Sequence, residues 1–123
     1  MNKYRNTNQD IHDRIFRFTV NCFNNVVKRI SKTTENIPII SQISSSLTSI
    51  GANDREADAA GSVKDFIAKY LIVRKETKET IYWLSFIKET QLISASQIEP
   101  YIKECQEIGY IISKIITNTK NRK

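Results

Sequence analysis

Ile43-Ser44-Ser45-Ser46-Leu47-Thr48-Ser49-Ile50-Gly51-Ala52 is the stretch on which the fold turns. Serine and glycine are poor helix formers, so these residues taken alone suit a loop. Yet Ile43, Leu47 and Ile50 keep the three- and four-residue steps of one helix face, in phase with Ile40 before them and Ala57 after. The phase predicts a helix whose small residues let a neighbour approach closely. Pro38 fits its first turn, where the missing N–H costs nothing.

Upstream, Asp10 can cap a helix with apolar residues at Ile11, Ile15, Phe18, Cys22, Val26 and Ile30. Phe16, Val20, Phe23 and Val27 widen that face, and the helix is expected to end near Lys32. Downstream, Ser62 and Asp65 have the spacing of a capping box and open a third helix, about Val63 to Glu89. Its core stripe is Val63, Phe66, Ile67, Tyr70, Thr77, Ile81 and Leu84. A fourth helix is expected after Ser96, with Glu99 in capping-box spacing and Pro100 in the tolerant first turn. Its apolar face is Ile98, Ile102, Cys105, Ile112 and Ile116.

Four amphipathic helices with short connections predict an all-α, up-down-up-down antiparallel four-helix bundle over residues 10–117. A flexible N-terminal tail (1–9) and a basic C-terminal tail (118–123) flank it. Three glycines and two prolines in 123 residues agree with long helices. The start of the chain lacks the apolar core of a signal peptide, and no apolar run reaches the roughly 20 residues of a membrane span. Cys22 and Cys105 read as reduced core residues, their spacing leaving a disulfide between them open, and the expected location is cytoplasmic.

Little chemistry is visible. His12, near a helix start, reads as a surface residue. The Glu-x-x-His pairs of di-iron bundles are absent, as are zinc spacings and phosphate loops, so neither a cofactor nor an enzyme activity is expected. Asn53, Arg55, Glu56, Glu76 and Glu79 read as a polar, ion-paired network between helices or subunits.

Nineteen Lys and Arg against thirteen Asp and Glu give a net charge of +6, which hints at a polyanionic partner. At about 100° per residue, Arg14, Arg17, Asn21, Asn24, Lys28 and Lys32 share one side of the first helix. Cations for phosphates and amides for position suit a sequence-tolerant nucleic-acid contact, extended by Lys120, Arg122 and Lys123. On the third helix Ile72, Trp83 and Phe86 lie away from the core stripe. An exposed Trp and Phe predict a homo-oligomer interface.

The chain resembles a family of bacterial four-helix-bundle proteins whose founding members are encoded by intervening sequences in 23S ribosomal RNA genes. The likeness spans about Ile11 to Ile116. It rests on Ser49-Ile50-Gly51-Ala52-Asn53 with Arg55-Glu56-Ala57, on Asp65-Phe66-Ile67, and on Lys75-Glu76, Glu79-Thr80 and Tyr82-Trp83-Leu84. Gln42, Ser46 and Ser49 also fit, whereas Ser45 stands where relatives often carry a basic residue. The resemblance implies a pentameric ring or barrel. One relative is the accessory protein of diversity-generating retroelements, which partners a reverse transcriptase and binds nucleic acid. The expected function is thus a non-enzymatic, oligomeric nucleic-acid-binding protein, with RNA as ligand. The alternative is a protein–protein assembly module whose charge is incidental.

Overall fold

The computed structural model describes residues 10–122. They form α1 (Asp10–Asn25), a 3-10 turn (Val27–Arg29), α2 (Ile37–Asp58), α3 (Val63–Glu89) and α4 (Ala95–Asn121), and no strand occurs among the described residues. Each helix runs antiparallel to its neighbours, as cross-helix pairs show. His12 meets Asp54 while Gly51 lies near Thr19. Tyr70 reaches Asp54 and Thr80 reaches Ser46. Lys88 pairs with Glu99 while Cys105 reaches Thr77. Asn25 reaches Tyr101 and Arg14 reaches Glu104, so α4 closes the ring against α1. The result is the expected up-down-up-down bundle.

The serine-rich stretch is helical because its hydroxyls bond within the bundle instead of competing for a turn. Ser46 is buried; its Oγ donates to Ile43 O and accepts from Thr80 Oγ1 at 2.9 Å. Thr48 Oγ1 donates to Ser44 O at 2.8 Å. Ile43, Leu47 and Ile50 are fully buried, as their phase requires. The tighter glycine contact, however, lies elsewhere: a Cβ on Gly109 would come within 3.2 Å of Thr77 Oγ1, against 3.7 Å from Gly51 to Thr19, so α3 and α4 pack closely there.

Three boundaries differ from expectation. The first α-helix stops at Asn25 rather than near Lys32. Val26, Val27 and Ile30 are all buried, and adjacent residues 100° apart cannot both face one core for long. The tighter 3-10 turn aligns Val27 with Ile30 and solves this. The fourth helix begins at Ala95 behind Ser94, so Glu99 does not complete a capping box and Pro100 lies in the helix interior. It also continues through Asn121, which takes residues 118–121 out of the expected tail. The expected tail 1–9 lies outside the described residues. Ser62, by contrast, caps α3 as predicted, its side chain accepting from Asp65 N at 3.1 Å.

α3 ends in a Schellman motif: Leu92 N donates to Ile87 O and Gln91 N to Lys88 O. The motif places Gln91 at φ 61°, the left-handed region that glycine prefers. Gln91 is exposed, so Gln91→Gly should raise unfolding free energy by about 1 kcal/mol. Urea denaturation checks this; a loss of stability would mean that the turn does not hold this conformation.

Candidate nucleic-acid interface

α1 has three faces. Ile11, Ile15, Phe18 and Cys22 are buried. Phe16, Val20 and Phe23, which the pattern joined to the core, are instead 54%, 39% and 37% exposed. A stripe little more than 100° wide faces the core, and these three lie beyond its edge on the α2 side. With Thr48, Gly51, Ala52 and Arg55 they line a groove of about 520 Å³.

The third face is the expected basic stripe. Arg14 is not a free cation in it. Its Nε donates to Glu104 Oε2 at 2.7 Å and its Nη2 to Glu104 Oε1 at 2.9 Å, with Glu107 3.9 Å away. The bond to Glu104 raises the Arg14 pKa despite an opposing desolvation effect. The acid that pairs with Arg14 comes from α4, although exposed Asp13 of α1 lines the same cleft, and Arg14 ties the two helices together. Arg17 and Asn21 are exposed along the α1–α4 cleft, beside Pro100 and Tyr101. Asn25 Nδ2 donates to Tyr101 Oη at 2.8 Å. Lys28 sits in the 3-10 turn and Lys32 in the loop after it, with Arg29 between; all three are exposed. Among the described residues, Arg17, Lys28, Arg29 and Lys32 make no ion pair. Lys120 and Arg122 lie at the other end of the bundle, in the last turn and C-cap of α4, and Lys123 lies outside the described residues.

The expected polar network separates into smaller groups. Asn53 Nδ2 donates to Ser49 O and Oγ, both at 3.0 Å. Glu56 pairs with Lys69 at 2.7 Å. Arg55 points the other way, over the Phe16 ring at 5.6 Å. Glu76 lies against Ser49 and Glu79; burial, and then the Glu79 charge, hold it above the ordinary carboxylate range. On the same side of α3, Ile72, Trp83 and Phe86 are half-buried rather than fully exposed, and Trp83 packs against the core. The exposed member is Tyr82, at 57%. Its ring stands 4.9 Å from that of Trp83, which is 5.8 Å from Phe86.

The polar centre that sequence reasoning missed is His12. It is buried, not on the surface. Its Nδ1 pairs with Asp54 Oδ2 at 2.7 Å, and its Nε2 lies 2.9 Å from Asp58 Oδ1, off the line of a hydrogen bond. An ionised carboxylate only accepts, so Nδ1 is the protonated nitrogen facing it. Tyr70 Oη donates to the other oxygen of Asp54, also at 2.7 Å. One signal could have found this: Asp54 falls in the core phase of Ile43, Leu47, Ile50 and Ala57. No group of side chains suited to hold a metal occurs among the described residues. Cys22 and Cys105 are free, buried thiols; burial pushes Cys22 up to about 12 and Cys105 further, so neither is a reactive thiolate.

The profile of the 23S rRNA-intervening sequence protein family matches residues 7–114. The chain belongs to this family. Among solved structures, a protein of unknown function from the S23 ribosomal protein family of Bacteroides thetaiotaomicron is 37% identical, with a TM-score of 0.80 over 86% of this chain and 97% of that one. No curated sequence matches. Among the described residues, no helix is long and apolar enough to cross a membrane.

His12→Ala leaves Asp54 buried against Tyr70 with a lost partner. It should cost about 3 kcal/mol of unfolding free energy, the scale of a broken buried pair. Denaturant melts at neutral pH measure this, and a change under about 0.5 kcal/mol would show the imidazole to be incidental.

Proposed function

We propose that this chain is an oligomeric, non-enzymatic nucleic-acid-binding protein that holds structured RNA against the outer side of α1 and the loop after it. One observation carries the reading: Arg17, Lys28, Arg29 and Lys32 are exposed with no ion pair among the described residues, and exposed Asn21 and Asn24 lie beside them. Folding does not use these cations, whereas it does use Arg14. Unpaired cations suit phosphates, and amides suit phosphate or base edges. Lys120 at the other end of the bundle offers a further contact, which assembly would multiply around a symmetry axis. The family's name refers to 23S rRNA, in keeping with an RNA ligand. The exposed Phe16, Val20 and Phe23 favour assembly, since such patches on small proteins mark interfaces.

Affinity for RNA should fall steeply with salt, because each neutralised phosphate releases counterion. Arg17→Glu combined with Lys28→Glu should flatten the log–log salt slope by about 1.4–1.8 for two lost contacts and weaken RNA and DNA alike. Circular dichroism should stay unchanged, because both positions are exposed. Equal binding by parent and double variant would reduce the stripe to a solvated face and favour a protein partner instead.

A further inference from the structure

Two features of the protomer are left without a counterpart inside it, and they complement each other. The first is the α1–α2 groove. Phe16, Val20 and Phe23 form its wall, and Gly51 its floor. The protomer does not need glycine there: a Cβ on Gly51 would meet only Thr19, at 3.7 and 3.8 Å, which is ordinary contact. A glycine inside a helix costs roughly 0.5–1 kcal/mol relative to alanine. Its effect here is to keep the groove deep. At one end Arg55 lies over Phe16, exposed and with no ion pair among the described residues.

The second feature is the outer side of α3 that faces away from α1. Glu79 is exposed beside Glu76, and the two carboxylates crowd each other without an ion-paired cation among the described residues. One to two turns further along stand Tyr82 and Phe86, the first exposed and the second half-buried. This is a short acidic-then-aromatic ridge. From Glu79 to Phe86 is seven residues, about 10.5 Å along the helix. From Arg55 back to Thr48, and from Phe16 to Phe23, the groove runs the same seven residues and about the same 10.5 Å. Arg55 and Glu79 cannot meet within one protomer, since α2 lies between them.

We propose that the α1–α2 groove of one copy receives the α3 ridge of a second copy, with Arg55 on Glu79 and the rings of Tyr82 and Phe86 against Phe16, Val20 and Phe23. The inference rests on the oligomeric reading above and assigns its surfaces. The contact joins two different patches, so it is heterologous, and repetition closes a ring or extends a filament. It places the acids Glu76 and Glu79 inside the assembly. The cations of the 3-10 turn and loop stay on its surface.

A charge-swap cycle read by analytical ultracentrifugation tests the pairing. Arg55→Glu alone and Glu79→Arg alone should each weaken assembly at least tenfold, with unchanged circular dichroism. The double variant should recover most of it. Mixing the two single variants should restore part of the assembly, because a groove of one variant finds a ridge of opposite charge on the other, and an odd-membered ring keeps only one like-charged contact; only contact between chains can do this. If the wild-type chain sediments as a monomer at micromolar concentration, the oligomeric reading fails and this inference with it. If the wild type assembles but the single variants assemble equally well, or mixing restores nothing, assembly stands and these surfaces are the wrong ones.

Discussion

Asp54 sits 1% exposed in an otherwise apolar stripe of α2, where an unpaired charge would cost several kcal/mol. It is held because both oxygens are taken, one by Tyr70 of α3 and the other by His12 of α1. A carboxylate so placed ties three helices at one level and leaves little freedom for their register. Slide α1 by a turn and the imidazole loses the acid. Rotate α3 and the phenol does. Apolar packing alone tolerates such shifts more readily, since it is not directional.

The consequence is largest for α1. At 16 residues it is much shorter than α3 and α4, at 27 each, and it packs less extensively than the α2–α3–α4 core. Three directional contacts secure it, His12 to Asp54 on one side and Arg14 to Glu104 and Asn25 to Tyr101 on the other. With those made and Ile11, Ile15, Phe18 and Cys22 in the core, the two outward faces of α1 are left without a partner in the fold. One outward face carries cations and amides, the other carries Phe16, Val20 and Phe23. Residues that position α1 and residues it leaves exposed are thus separated one by one along a single helix, as Arg14 and Arg17 are, three residues apart.

The helical phases were legible in the sequence, because Ile43, Leu47 and Ile50 repeat at the period of a helix whatever lies between them. The partners of polar groups were not. Arg14 and its acid are separated by 90 positions, and His12 and Asp54 by 42. No local pattern reports such distances, so the stripe read as free charge and the histidine as solvated. The sequence shows an apolar face on α1 wider than one bundle core buries, in favour of an oligomer, but not which of its residues stay outside, because a helical wheel does not reveal how many neighbours a helix has. Gln91 in a left-handed turn was invisible for a different reason: glycine or asparagine is the usual signal there.

Native-state hydrogen exchange on Asp54→Asn tests the tie most directly. Asparagine keeps the size and can still accept from Tyr70, but it removes the charge, and its amide nitrogen meets His12 only if the imidazole gives up its Nδ1 proton. The account predicts that amides of Ile15 to Cys22 exchange at least tenfold faster than in the parent, while those of Ile43 to Ile50 keep most of their protection. If α1 keeps its parental protection, or opens only in the same global step as the other helices, then Asp54 does not hold it in place.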